Sequence, residues 1–238
     1  MTTIIEEEVT CAVCGIKQTV QEMGSTSSFG AMDLDTRPPP LRRSTMHLWV
    51  HECGECGYVA PELGAAAEGA GRIVASADYR AELKSADRTQ LANRMVCRSL
   101  LEAAAGEFVT AGWRRLHAAW VCDDANATEE ARSQRRAALA LLERARASGQ
   151  RAMKSVEAGD EVLLADIARR AGEMERALAY CDAGLALTHV PVFVRRILEF
   201  ERALVLVRDA TCHNVGEVDE TQAPASAPKA HEARGTVH

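Results

Sequence analysis

The chain has 238 residues, 26% charged and 47% hydrophobic, with a formal net charge of −6. Only 4% are aromatic, while Ala, Leu, Glu and Arg abound; this composition excludes an all-β protein and a disordered one, and points to helix. The acidic total excludes a chain-wide nucleic-acid footprint, and no run approaches the roughly 18 apolar residues of a membrane helix.

The start, Met1-Thr-Thr-Ile-Ile-Glu-Glu-Glu8, has neither the basic region nor the apolar core of a secretory signal. A cytoplasmic location is therefore expected, where eight cysteines are thiols or metal ligands before they are disulfides.

Residues 1–63 are rich in turn residues, and β-type alternation shows only near His47-Leu48-Trp49-Val50-His51. The strongest chemical signal lies here: Cys11-Ala-Val-Cys14-Gly15 and Cys53-Gly-Glu-Cys56-Gly57. A two-residue gap lets both thiolates of a turn face one ion, and two such turns make a closed tetrahedral four-sulfur site. Glycine after the second cysteine permits the left-handed backbone that tightens each turn. Cys11, Cys14, Cys53 and Cys56 are thus the expected ligands of one structural Zn2+, holding together a module too small to fold by burial alone. A redox dithiol belongs at a helix N-terminus, which neither motif opens; an iron–sulfur centre is the remaining rival. Lys17, Arg37, Arg42 and Arg43 face nine acidic residues in this stretch, and four thiolates on a divalent ion add more negative charge, so the ribbon is not expected to dock on phosphates.

Residues 64–77 are small and Gly-rich and read as a connector. Residues 78–213 carry helical periodicity. Phe108, Ala111, Gly112, Leu116, Ala119 and Trp120 share one face; so do Phe193, Ile197, Phe200, Leu204 and Val207. Breaks at 123–126, Gly149, Gly159-Asp160, Gly172 and Pro191 predict short antiparallel helices. Trp113-x-x-Leu116-His117-x-x-Trp120 fits the first helix of a tetratricopeptide pair with His117 departing in the small-residue slot, Ala138-x-x-x-Leu142 fits its second helix nine residues late, and Leu164, Ala165, Ala168 with Ala177-x-x-x-Cys181 and Gly184 fit a second pair at the standard spacing. The small residues let paired helices approach. Any helical bundle needs a similar stripe, so a plain bundle stays open as the alternative. Cys97, Cys122 and Cys181 read as small core residues, Cys212, His47 and His51 carry no spacing that demands a role, and His117 reads as a packing residue. Residues 214–238, with Ala223-Pro-Ala-Ser-Ala-Pro228 at their centre, have little to bury and read as a disordered tail.

With its paired knuckles, the Trp113-Arg-Arg-Leu-His-Ala-Ala-Trp120 helix and the later Ala168-Arg-Arg-Ala-Gly-Glu-Met-Glu-Arg-Ala-Leu178 pair, the chain resembles a bacterial family that joins an N-terminal four-cysteine zinc ribbon to tetratricopeptide-like helices. The resemblance covers residues 9–210 and implies that Cys11, Cys14, Cys53 and Cys56 are the ligands. It departs where a proline usually stands, at Ala12 and Gly54, and it implies architecture but no reaction.

No phosphate loop, nucleophile elbow, metalloprotease helix or dinucleotide fingerprint is present in the sequence, and no catalytic residues are expected. The expected function is a non-enzymatic scaffold that binds a protein or peptide partner. The repeat register places Arg114, Asp166, Arg169 and Arg170 near the inner face, where arginines can grip a partner's carboxylate. Two alternatives remain: a nucleic-acid-associated regulator using the ribbon, and a zinc or thiol-redox sensor.

Overall fold

The computed structural model describes residues 1–220. It is mainly α, with short antiparallel strands near the N-terminus. Strands β1 (Thr3–Thr10) and β2 (Lys17–Ser25) form one hairpin; β3 (His51–Glu52) and β4 (Val59–Ala60) form a second, much shorter one. Between them lie α1 (Pro40–Arg43), opened by proline at its first position, and a 3-10 turn at Met46–Leu48. Strand β1 is almost wholly exposed, so the β1–β2 hairpin is held mainly by its ladder, with Val9 and the buried Val20 packed on the core. The sequence pattern predicts no hairpin there, because Ile4-Ile5-Glu6-Glu7-Glu8 does not alternate.

The helices follow as α2 (Ala70–Val74), α3 (Ala77–Leu83), α4 (Gln90–Ala104), α5 (Phe108–Asp124), α6 (Thr128–Ala147), α7 (Gly159–Arg170), α8 (Met174–Leu185), α9 (Val192–Leu206) and α10 (Val215–Glu220). Side-chain caps start two of them: Ser76 accepts from the Tyr79 amide and Thr89 from the Ala92 amide. Left-handed residues end others, Asn126 after α5, Gly149 after α6 and Gly172 after α7. Gly159-Asp160 marks the far edge of the break after α6 and forms the first turn of α7.

Successive helices pack as antiparallel hairpins, α5 on α6 and α4 on α5 above all, then α7 on α8. Small residues set the spacing. A Cβ on Gly112 would lie 2.7 Å from Leu142, and one on Gly184 2.7 Å from Leu198 and 3.0 Å from Glu161. Those two positions therefore fix how closely α5 approaches α6, and α8 approaches α7 and α9. One continuous apolar core runs from Cys11 and Val50 through Tyr79, Met95 and Leu116 to Leu163 and Ile167.

Three expectations are corrected. The stretch read as a connector contains α2, whose Ala70 and Val74 are buried. The stretch read as a tail from residue 214 begins with α10, which has Val218 buried against Leu34, Ile197 and Leu204; residues 221–238 lie outside the described residues. On α9 the buried stripe is Val194, Ile197, Leu198, Glu201, Leu204 and Val205. Phe193 and Val207, expected inside, are 44% and 75% exposed.

Candidate metal centre

Each cysteine pair sits at the tip of one hairpin, and the two tips have the same local bonding. The amide of Cys11 donates to the Ile16 carbonyl at 2.9 Å and that of Gly15 to the Cys11 carbonyl at 2.8 Å. In the second tip Cys53 donates to Tyr58 and Gly57 to Cys53, both at 2.8 Å. Gly15 and Gly57 have φ of 75° and 73°, the left-handed conformation the turn requires.

The tips face each other so that the four Sγ atoms lie within 4.8 Å of one another. Cys11 and Cys56 are 3.7 Å apart and Cys14 and Cys53 3.6 Å, far too long for a disulfide. A metal–sulfur bond of about 2.3 Å gives a tetrahedron with edges of about 3.8 Å, so the spacing suits one ion bound by four sulfurs. Cys11 and Cys53 are buried while Cys14 is exposed, which gives the cluster one inner and one outer side. Burial opposes ionisation of Cys53, but amides of Cys56 and Glu55 and the neighbouring thiols outweigh it and hold this thiol below its ordinary range. Burial pushes Cys56 up. A cation bound among the four sulfurs would supply the field that favours their thiolate forms.

Residues outside the cysteine motifs fasten this centre. Gln18 on β2 spans the tips: its amide nitrogen donates to the Glu52 carbonyl at 3.1 Å and its oxygen accepts from the Gly54 amide at 3.1 Å. Tyr79 on α3, fully buried, donates to the Gly57 carbonyl at 2.9 Å and accepts from the Val59 amide at 3.2 Å. Arg94 on α4 pairs with Glu52 at 2.8 Å. No spacing rule flags Gln18 or Tyr79; a buried tyrosine on an otherwise polar helix is the only trace they leave in the sequence. Among the described residues only the four cysteines form a metal-type cluster, and His47 and His51 turn instead to the Ser44 carbonyl and to Glu22.

The four residues expected to meet a partner lie elsewhere. Arg114 pairs with Glu102 at 3.3 Å. Asp166, Arg169 and Arg170 are buried, and the carboxylates held there are the chain's own. Arg170 binds Asp35 at 2.8 Å and Asp123 at 2.7 Å; Arg169 binds Glu201 at 2.7 Å, Asp166 at 2.5 Å and the carbonyls of Asp209 and Thr211. Asp35 belongs to a tight turn within residues 32–37, closed by the Thr36 amide on the Asp33 carbonyl, that lies against α5 and α7 and bonds with residues 213–215. Trp120 donates its indole N–H to Asp35 at 2.7 Å. Burial pushes Asp35 up, against Arg170 and Arg135; for Asp123 burial is outweighed by Arg135, Arg170 and Arg37, which hold it down.

Cys97, Cys122 and Cys181 are buried in helices, and burial pushes their thiols up to about 12, 11 and 12. Such thiols stay protonated and pack as small apolar groups. No helix among the described residues is long and apolar enough to cross a membrane. Compared with known proteins, the chain matches no protein-family model, no curated protein and no solved structure, so its geometry carries the functional argument.

Proposed function

We propose that this protein is a non-enzymatic adaptor in which Cys11, Cys14, Cys53 and Cys56 hold one structural Zn2+ and the helical hairpins carry a protein partner. The observation that carries the reading is the four-sulfur cluster formed by two hairpin tips 38 residues apart in sequence. Four thiolates fill a tetrahedral ion and leave no position for water, which favours a staple over a catalyst. Zinc suits an all-thiolate tetrahedron without any redox requirement.

The partner surface differs from the inner face expected of a repeat array, because residues 32–37 and 209–215 already lie there. Among the described residues nothing covers the open end of the array. On α9 and just beyond it Val192, Phe193, Leu206 and Val207 are 70%, 44%, 60% and 75% exposed, where a further hairpin would stack in a longer array.

Metal analysis of the purified full chain tests the staple: one zinc per chain is expected, with a thiolate-to-cobalt charge-transfer band after cobalt exchange. Metal at well below one equivalent, or two irons with sulfide, overturns it. For the adaptor, affinity capture from the native host with nuclease treatment should retain a stoichiometric protein that Phe193→Glu releases. Recovery of nucleic acid, with every protein lost to nuclease, would favour the regulator instead.

A further inference from the structure

All three tryptophans of the chain converge on one open cleft of about 500 Å3, between the segment before α1 and the face of α5. Trp49, Trp113 and Trp120 surround His117, whose ring centroid lies 5.0, 6.3 and 4.8 Å from theirs. The volume is in the usual range for a small-molecule site, and the walls are flat aromatic faces with Pro38 and Pro39 opposite. Trp120 is buried in the core behind His117, whereas Trp49 and Trp113 are only half-buried, so two of the chain's three indoles present part of their faces to the cleft.

The polar groups in the cleft are donors. Trp49 spends its indole N–H on Thr45 and Trp120 on Asp35, whereas the N–H of Trp113 has no partner among the described residues. Arg42 lies exposed at the rim with its guanidinium unpaired among the described residues, and it is the only charged residue in the lining. No carboxylate faces the cleft; Asp35 lies behind Trp120, fully buried and neutralised by Arg170. Burial, with Arg114 beside it, pushes His117 down to about 3, so its imidazole is neutral and adds no second cation.

We infer that this cleft binds a small planar aromatic carboxylate, its ring stacked against Trp49 and Trp113 and its carboxylate held by Arg42. A cationic ligand of the methylammonium type would meet Arg42 with no acid to offset it. A nucleotide would bring a phosphate dianion to a single guanidinium, in an N-terminal half where acidic residues outnumber basic ones. One planar fork suits one carboxylate. This inference stands on the cleft alone and does not depend on the adaptor reading or on the metal.

Isothermal titration of the full metal-loaded chain with 2-naphthoate, 2-naphthamide and adenosine monophosphate tests it, with tryptophan emission followed in parallel. Naphthoate should bind saturably with a dissociation constant below about 1 mM, equivalent to about −4 kcal/mol, and change the emission, since two of the three tryptophans, Trp49 and Trp113, face the cleft. The neutral amide should bind at least about tenfold more weakly, and Arg42→Gln should remove that difference without changing the thermal melt. No saturable binding, equal affinity for acid and amide, tighter binding of adenosine monophosphate than of naphthoate, or an Arg42→Gln chain that keeps full affinity would each overturn the assignment.

Discussion

Replacing Asp35 with alanine removes the carboxylate that fixes residues 32–37 to the inner side of the helices. Its oxygens accept from the Arg170 guanidinium at 2.8 Å, the Trp120 indole at 2.7 Å and the Arg37 amide at 3.2 Å, and the side chain has no exposure. Breaking a buried pair by deleting one partner costs about 3–5 kcal/mol, because the remaining charge stays buried. Arg170 keeps Asp123 at 2.7 Å, which places the loss near the lower bound, about 3 kcal/mol. For a chain of this size that is a fall in Tm of about 6–12 °C, measured by circular dichroism at neutral pH. Asp35→Asn keeps an acceptor for Trp120 and should lose less. Asp182→Ala is the control, since that carboxylate pairs with Arg202 and the two side chains are 55% and 45% exposed, and it should cost under about 1 kcal/mol. A fall of under about 1 kcal/mol for Asp35→Ala, equal to the control, would refute the view that this buried cluster holds the segment in place.

Further expectations follow from the same contacts. Cys53→Ser should leave the chain without a stoichiometric ion, and chelation of the wild type should reproduce its loss of stability, read by metal analysis and thermal melts; stability indifferent to both would exclude a structural ion. Tyr79→Phe strands the Gly57 carbonyl and the Val59 amide in a buried place and should cost about 1–3 kcal/mol in urea unfolding, with helix content retained. For His117 the folded pKa is about 3 against an ordinary 6.5, so the unfolded chain takes up the proton first as pH falls. Its share of stability is complete above about pH 6.5 and is lost progressively down to about pH 3, at up to about 1.4 kcal/mol per unit. His117→Phe should flatten that part of the stability profile; an unchanged slope would show that His117 titrates freely.

The cysteine centre and the paired helices were legible because their rules are local. Two Cys-x-x-Cys-Gly turns specify ligand count and turn geometry within five residues, and the α5–α6 and α7–α8 hairpins follow from periodicity and from glycine or asparagine stops. What stayed hidden is non-local or lacks a pattern. Asp33-Leu34-Asp35-Thr36-Arg37 looks like a polar loop, yet its partners Trp120 and Arg170 stand 85 and 135 residues away from Asp35. The same arginines that a repeat register assigns to an external carboxylate find an internal one. Helix α10 is short and mostly polar; two valines, Val215 and the buried Val218, seat it, a signal too small to separate from a tail. On α9 the buried Glu201 holds Arg169, so the inner stripe passes through a charged residue and an apolar-only count shifts it by one position.

The placement of residues 32–37 also links the metal to the helices. The 38 residues between Cys14 and Cys53 are the loop that an ion closes, and closing a free chain of that length costs about 3 kcal/mol in entropy beyond a constant. Here the loop is not free: its first part is β2, and its middle is fixed to α5 and α7 through Asp35. Anchoring the middle brings the two cysteine tips within reach before the ion binds, so the ion bears only part of the closure cost. Binding and anchoring are then thermodynamically coupled, and each strengthens the other by the same factor. Asp35→Ala should therefore weaken zinc binding in a chelator competition by about 1 kcal/mol, roughly fivefold, although Asp35 belongs to no part of the cysteine cluster. Unchanged affinity in a variant that has lost about 3 kcal/mol of stability would show that the hairpin tips are organised by Gln18 and Tyr79 alone, and that the segment between them is only a passenger on the helices.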